Sequence, residues 1–385
     1  MGRIPHARAL ERREPADHDL PGDEDRADLL LPADDGRRSS VRLPGPGEQV
    51  PGAARPYREP LLRGIRRRGS PGALTGLVAS PFGTLLVVAN PAAGRGRAGT
   101  QLPAAEAALR AASLDYRLVL TARPGDAAAA IRDAMEHEVS FVAVVGGDGT
   151  VLEVVDAILR VPDRTLLDRP VLGLVSAGAE GDFAKTFGLP NDAAQACAHL
   201  GGDAVFPVDV AKVGFVAPGG AEATRYVPNV AQVGLGGAIA AQTLRLPRSL
   251  GRARFFLGFW AAIASSGRAH VEVDADRRSF QGRASNVVVA NGQFTSGGMR
   301  ISPRSWPSDG HLDVLVQTGP RSEAFTLLPR IYRGEHLPHP HIAELRAKAV
   351  SVRSDRPLTV EADGQVLGTT PATFEVVPQA IRIKI

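Results

Sequence analysis

From Leu85 onward the chain alternates short apolar runs with amphipathic stretches, a pattern its first eighty residues lack. Apolar, β-branched runs without polar alternation predict buried strands at Leu85–Ala89, Leu118–Thr121, Phe141–Val145 and Val171–Val175. Between them, helical spacing of apolar positions predicts helices at Gln101–Ala112, Asp126–Glu138, Thr150–Leu159 and Ala193–Leu200. Such alternation predicts a parallel sheet covered on both faces. Past Asp209 the runs become strand-like: Arg225–Val230, Ala269–Val273, Ser285–Ala290, Leu312–Val316, Ala349–Val352, Leu358–Glu361 and Thr373–Val377. One helix interrupts them, with Phe255, Phe256, Phe259, Trp260 and Ile263 on one face. The pattern therefore predicts an α/β fold in two parts, a βα domain over 81–208 and a β-rich domain over 209–367.

The most informative stretch ends the third run, at Gly146-Gly147-Asp148-Gly149-Thr150. The three glycines let the backbone turn tightly and approach a ligand without Cβ clashes. Thr150 followed by Glu153 matches a capping box opening the next helix. A helix N-terminus at a glycine turn suits a phosphate. Asp148 beside such a cradle makes sense if a divalent cation lies between carboxylate and phosphate. The turn needs only its glycines to form, which leaves Asp148 for chemistry.

A second glycine motif, Gly94 to Gly99, matches the dinucleotide string G-x-G-x-x-G. That reading also needs an acid at the far end of the second strand, where Thr121-Ala122-Arg123 stands instead. An Asn90-Pro91 turn followed by a Gly/Arg loop is the better account, with Arg95 and Arg97 able to meet phosphate oxygens.

Taken in order, the motifs resemble the diacylglycerol kinase catalytic-domain family and its lipid-kinase relatives, including the sphingosine kinases; NAD kinases share the glycine turn. The residues carrying the resemblance begin with Asn90-Pro91, Gly94 to Arg97 and Gly146 to Thr150. They continue with Gly173 to Gly178, Asp182-Phe183-Ala184, Val208-Asp209, Asn229, Asp309 to Asp313 and Asp363-Gly364-Gln365. The resemblance implies a nucleotide-binding α/β domain, a β-sandwich-like substrate domain, and C-terminal strands, about 368–385, returning to the first domain. It implies an ATP- and Mg2+-dependent kinase acting on the hydroxyl of a lipid or lipid-like alcohol. Nucleotide-side residues would be Asn90, Gly94, Arg95, Thr121, Gly146, Gly147, Asp148, Gly149, Thr150, Gly178, Ala179, Asp182 and Asp209. Asp148, Asp182 and Asp209 would order the cation network, and Asp309 would hold a structural magnesium with the carbonyls of Trp306 and His311. Catalysis would fall to Asp148, Asp363 and Gln365.

The chain departs from the family at several of these positions. Gln365 replaces a glutamate assigned as the base, and an amide has no useful basicity; Asp363 is then the substitute. Ala179 and Gly181 replace a threonine and an asparagine, and Leu152 replaces a polar residue. These departures open a second reading, a nucleotide- or lipid-binding protein on the kinase scaffold, and a third, a kinase for a non-lipid alcohol.

Composition narrows the partners. Net charge is +4, and only four residues are lysine, Lys185, Lys212, Lys348 and Lys384. No basic helix interleaved with aromatics appears, which argues against nucleic acid. Cys197, the single cysteine, fits a small core residue in a cytoplasmic protein. The longest apolar run, Phe255–Ala264, is about half of the ~20 residues a membrane span needs. A lipid would be met by peripheral contact at the inner membrane face; a homodimer stays open. Residues 1–80, rich in Arg, Pro and Gly, are expected to be a disordered arm or sequence upstream of the true start. His336, His339 and His341 have no cysteine or paired carboxylate nearby and are interrupted by Pro338 and Pro340, which predicts a solvated loop.

Overall fold

The computed structural model describes residues 80–176, 181–247, 250 and 253–385. All but the last residue of the predicted N-terminal arm, and Gly178 and Ala179 of the predicted site, lie outside the described residues.

Strands β1 (Leu85–Ala89), β2 (Tyr116–Leu120), β3 (Phe141–Gly146) and β4 (Val171–Ser176) pair in parallel in the order β2-β1-β3-β4. They alternate with α1 (Arg97–Ala111), α2 (Asp126–Glu136), α3 (Asp148–Leu159), α4 (Asp182–Thr186) and α5 (Ala193–Ala198). Successive strand residues serve opposite cores. Leu86, Val88, Val142 and Val144 pack with α2 and α3, whereas Leu85, Val87, Phe141 and Val145 pack with Leu109 and Cys197. Burial on both faces is why these runs show no polar alternation.

The remaining strands pair antiparallel: β5 (Val205–Val216), β6 (Glu222–Val227), β7 (Val230–Gly234), β8 (Ala269–Ala275), β9 (Arg278–Ala284) and β10 (Asn286–Ala290) are followed by β11 (Leu312–Gln317), β12 (Ile342–Ala347), β13 (Ala349–Ser354), β14 (Thr359–Ala362) and β15 (Gln365–Lys384). The long β15 runs antiparallel to β14, β13 and β5, then pairs in parallel with β4 through Arg382 and Ile383. One fifteen-stranded sheet results. The α/β class read from the sequence holds.

Several expectations are corrected. The run Arg225–Val230 is two strands, broken at Pro228-Asn229, because proline cannot donate to the ladder. Three helices, not one, accompany the antiparallel strands: α6 (Leu235–Arg245), α7 (Ala253–Ser265) and α8 (Ala324–Arg333). Gly236 and Gly237 hid α6, and Pro329 hid α8. Helix α1 begins at Arg97 rather than Gln101, after Gly96 turns the chain with φ 88°.

Helix α3 joins the two halves of the sheet. Val151, Val154, Val155 and Ile158 enter the core of the parallel strands, while Leu152 enters that of the antiparallel strands. A helix apolar all round is a buried one. At its far end Asp156 accepts the Tyr226 N–H of β6 at 2.9 Å and the Arg160 Nε–H at 2.8 Å. The N-terminus of α3 is thereby fixed against both halves.

Helix α6 approaches β14 so closely that a Cβ at Gly237 would lie 2.5 Å from the Thr359 carbonyl oxygen. Gly237→Ala should lower unfolding stability by about 1–3 kcal/mol through this backbone overlap. Urea denaturation checks it; an unchanged midpoint would mean that α6 can shift freely.

Candidate functional site

The glycine turn lies at the carboxyl end of β3, where ligands meet open parallel sheets. Helix α3 begins at Asp148, with Gly147 as its N-cap and no side-chain cap. The expected capping box does not form: Glu153 Oε1 accepts the Ala128 N–H of α2 at 3.0 Å. Thr150 faces back, its Oγ1 accepting from Asn90 Nδ2 at 3.1 Å, which ties the end of β1 to the turn. A Cβ at Gly146 would lie 3.0 Å from Thr150 Oγ1, a tight approach that glycine avoids. Thr121 sits just past β2, its N–H bonded to the Ala89 carbonyl. Gly94 is buried, and Arg95, at φ 62°, is exposed on the loop before α1.

Asp148 is not left over for chemistry alone. Its Oδ2 accepts the Asp182 N–H at 3.0 Å and its Oδ1 the Phe183 N–H at 2.9 Å, so it caps α4 from another segment. Burial, then the neighbouring Asp182 charge, pushes its carboxyl up to about 6 against those two donors. Asp182 in turn bonds Lys185 Nζ at 2.6 Å and accepts the Gly297 N–H at 2.7 Å.

Asp209 is buried and accepts two backbone donors, Gly310 N–H and Gln379 N–H, each at 2.7 Å. Both its oxygens thus hold the 306–310 turn and the bend of β15. In that turn Asp309 accepts the His311 N–H at 3.0 Å and pairs with Arg346 at 2.5 Å. The Trp306 carbonyl accepts the Ser308 N–H at 2.8 Å. The expected magnesium residues Asp309, Trp306 and His311 thus lie together in one turn.

The Asp363-Gly364 pair forms the two-residue turn between β14 and β15, with φ of 47° and 80°. Asp-Gly suits the left-handed values such a hairpin demands. Asp363 Oδ1 accepts Asn229 Nδ2 at 3.0 Å and the Val230 N–H at 3.2 Å, while Oδ2 is sealed from solvent without a hydrogen-bond partner. Asn229 Oδ1 is likewise buried and unpartnered. Burial, then the Asp148 charge, raises the Asp363 carboxyl well above its ordinary range. The two carboxylates therefore face one another's field. Each of these two oxygens is of the hard kind that divalent cations take, and the α3 N-terminus, whose first N–H groups have no intrahelical acceptor, fits phosphate.

Gln365 crosses to the turn: its Nε2 donates to the Gly149 carbonyl at 3.1 Å. A glutamate could not make this bond in its ionised form. At Gly181 a Cβ would lie 2.2 Å from Ser176 Oγ, so the serine fills the space that a side chain at 181 would need. Leu152 is core and does not face the turn.

Sequence reasoning missed a buried polar row beside the turn. Glu361 Oε1 accepts Gln232 Nε2 at 2.7 Å, Gln232 Oε1 accepts Asn286 Nδ2 at 3.0 Å, and Asn286 Oδ1 accepts the Gly236 N–H at 3.0 Å. Glu361 Oε2 accepts the Gly364 N–H at 3.0 Å, linking the row to the Asp363 turn. Burial pushes the Glu361 carboxyl up to about 7 against these donors. Single polar residues inside otherwise apolar strands were the available signal. Gln232 and Asn286 line a cavity of about 110 Å³ whose other walls include Ile239, Phe259, Ile263 and Leu327. Phe259 and Ile263 bear out part of the predicted aromatic face; Phe256 is exposed.

The expected solvated loop is also corrected. His336 is fully buried, its Nε2 3.0 Å from the Ile301 carbonyl, because the loop folds under residues 299–302.

Residues 84–213 match the diacylglycerol kinase catalytic domain, and residues 229–385 match the YegS C-terminal NAD kinase beta sandwich-like domain. A diacylglycerol kinase of Staphylococcus haemolyticus is 26% identical over 290 residues, 75% of this chain and 84% of the relative. One of Staphylococcus epidermidis is 26% identical over 299 residues, 77% of this chain and 90% of the relative. A crystal structure of a diacylglycerol kinase from Bacillus anthracis str. Sterne matches with TM-score 0.60 and 25% identity, over 79% of this chain and 97% of that one.

Two outcomes are expected. Asp148→Ala should destabilise the fold by about 2–4 kcal/mol, since two N–H donors of α4 lose their acceptor; equal stability in urea would refute that capping role. For Glu361, a raised native value means stability present below its unfolded value near 4.5 and lost as pH rises through about 7. The melting temperature of the parent should therefore fall relative to Glu361→Gln across that window. A constant gap between the two would contradict the assignment.

Proposed function

Because the chain belongs to the diacylglycerol kinase catalytic-domain family, we propose that it transfers the γ-phosphoryl group of ATP to the hydroxyl of a lipid or lipid-like alcohol. The observation that carries this reading is the meeting of the glycine turn opening α3 with the Asp363 hairpin, where Gln365 bonds the Gly149 carbonyl and Asp363 keeps an unsatisfied carboxylate oxygen. A hydrogen-bonded row from Glu361 through Gln232 leads from that hairpin to an apolar cavity.

In this reading the α3 N-terminus and the Gly146–Thr150 backbone hold the phosphates. Asn90 orients Thr150 at the turn, and Arg95 reaches the outer phosphate oxygens. Asp363 takes the acceptor hydroxyl's proton as the new O–P bond forms and the bond to the departing ADP breaks. Its raised proton affinity suits that task. A divalent cation, Mg2+ by family expectation, would neutralise phosphate charge, leaving Asp363 Oδ2, the oxygen without a hydrogen-bond partner, to the proton. Asp148, Asp182 and Asp209 act by fixing the backbone around the turn. The cavity takes an alkyl segment of the acceptor. The described residues contain no helix long and apolar enough to cross a membrane, so an acceptor in a bilayer is met from the surface.

A second reading, a nucleotide- or lipid-binding protein, is favoured by the commitment of both Asp148 oxygens to α4 and of the Gln365 amide to Gly149. Phosphoryl transfer from labelled ATP to diacylglycerol, long-chain bases and soluble alcohols separates the two. Turnover with a lipid acceptor is expected, falling on the order of 10²-fold or more in Asp363→Asn. Gln365→Glu should reduce turnover by about 5- to 30-fold, the equivalent of one lost hydrogen bond near the phosphates. ATP binding without transfer to any acceptor would favour the binding protein.

A further inference from the structure

Glu323, His339 and His341 come from segments that the sequence keeps apart, yet each offers a donor atom within 4.8 Å of the others. Glu323 ends the segment before α8, and the two histidines precede β12. Among the described residues this is the one group of three metal-ligating side chains so disposed. We propose that these three side chains form a binding site for a divalent transition-metal ion of the zinc class, which pins the start of α8 to the start of β12 at the rim of the apolar cavity.

The site is built rather than accidental. Glu323 carboxylate and His341 Nδ1 are in direct hydrogen-bond contact. Their approach depends on Gly319: a Cβ there would fall 1.9 Å from Glu323 Oε2 and 3.2 Å from His341 Cβ. The His341 backbone is fixed, its carbonyl accepting Thr318 N–H at 2.9 Å and Thr318 Oγ1–H at 3.1 Å. His339 Nδ1 accepts the His341 N–H at 3.2 Å, and its carbonyl accepts the Ile342 N–H at 3.0 Å. The two imidazole rings stand 5.8 Å apart at 67°, angled rather than stacked.

The donor set decides the ion. Two imidazoles and one carboxylate suit Zn2+, Co2+ or Ni2+, whereas Mg2+ prefers oxygen and keeps its water. Ligand bonds of about 2.0–2.2 Å place donors in a tetrahedral site roughly 3.4 Å apart. Rotation of the partly exposed histidines closes the remaining gap, and water completes the coordination. Gly319, Pro320, Glu323, Ala324 and His341 all line the cavity, so an ion here would stiffen its rim. This site is separate from the phosphate turn, shares no residue with it and does not depend on the kinase reading.

The test uses the full chain stripped with chelator and then titrated with Zn2+, with Mg2+ in parallel, by calorimetry and thermal melting. Co2+ absorption reports tetrahedral ligation directly. Expected is a Zn2+-binding step that raises the melting temperature. That step should weaken at least about tenfold in His341→Ala, His339→Gln and Glu323→Gln, and survive in Asp363→Asn. Circular dichroism confirms that these surface variants fold. Absence of Zn2+ binding in the parent, or binding of equal strength in all three variants, would overturn the proposal. So would a step that Mg2+ reproduces.

Discussion

A carboxylate withdrawn from water must find donors, and this constraint organises the molecule around its glycine turn. Asp148 accepts two N–H groups of α4, Asp209 one from the 306–310 turn and one from β15, and Asp363 one from β7 and one from Asn229. Each joins segments distant in sequence. Burying charge without such partners would be prohibitive, and with them each acid becomes a rivet between backbones. The exception is informative: Asp363 Oδ2 and Asn229 Oδ1 are buried without partners. In a structure that satisfies its other acidic groups here so fully, these unsatisfied oxygens underlie the proposal that a ligand binds at this turn.

The same rivets explain why the departures from family motifs do not dismantle the site. Ser176 occupies the room a side chain at 181 would take, and Leu152 has become core for the antiparallel strands. Gln365 exchanges basicity for a hydrogen bond that holds the β14–β15 hairpin to Gly149. Position 365 and the turn thus remain in contact. Restoring a family residue at one of these positions would disturb its neighbour, because the substitutions fit one another.

Much of the fold was legible because two-sided burial leaves its mark on each strand separately: β1, β3 and β4 are buried at every position and apolar at all but Ser176. The glycine turn was legible for the same local reason. What the sequence hid was long-range. Thr150 and Glu153 look like a capping box, but Glu153 is drawn to Ala128 of α2 and the helix starts two residues earlier. Glycines that let α6 lie against β14 read locally as helix breakers. Asp148 appeared free because its partners, Asp182 and Phe183, stand more than thirty residues away. Glu361 reveals itself only when Gln232 and Asn286 are brought beside it by strand pairing.

We propose that the turn opening α3 cradles phosphate and that Asp363 faces the group being transferred. A crystal structure with a non-hydrolysable ATP analogue and a divalent cation tests it most directly. Expected are the β- and γ-phosphates against the N-terminal N–H groups of α3, with Asp363 Oδ2, which now lacks a partner, facing the γ-phosphoryl group. A nucleotide bound elsewhere, with the Gly146–Thr150 turn bare and Asp363 Oδ2 still unpartnered, would contradict it.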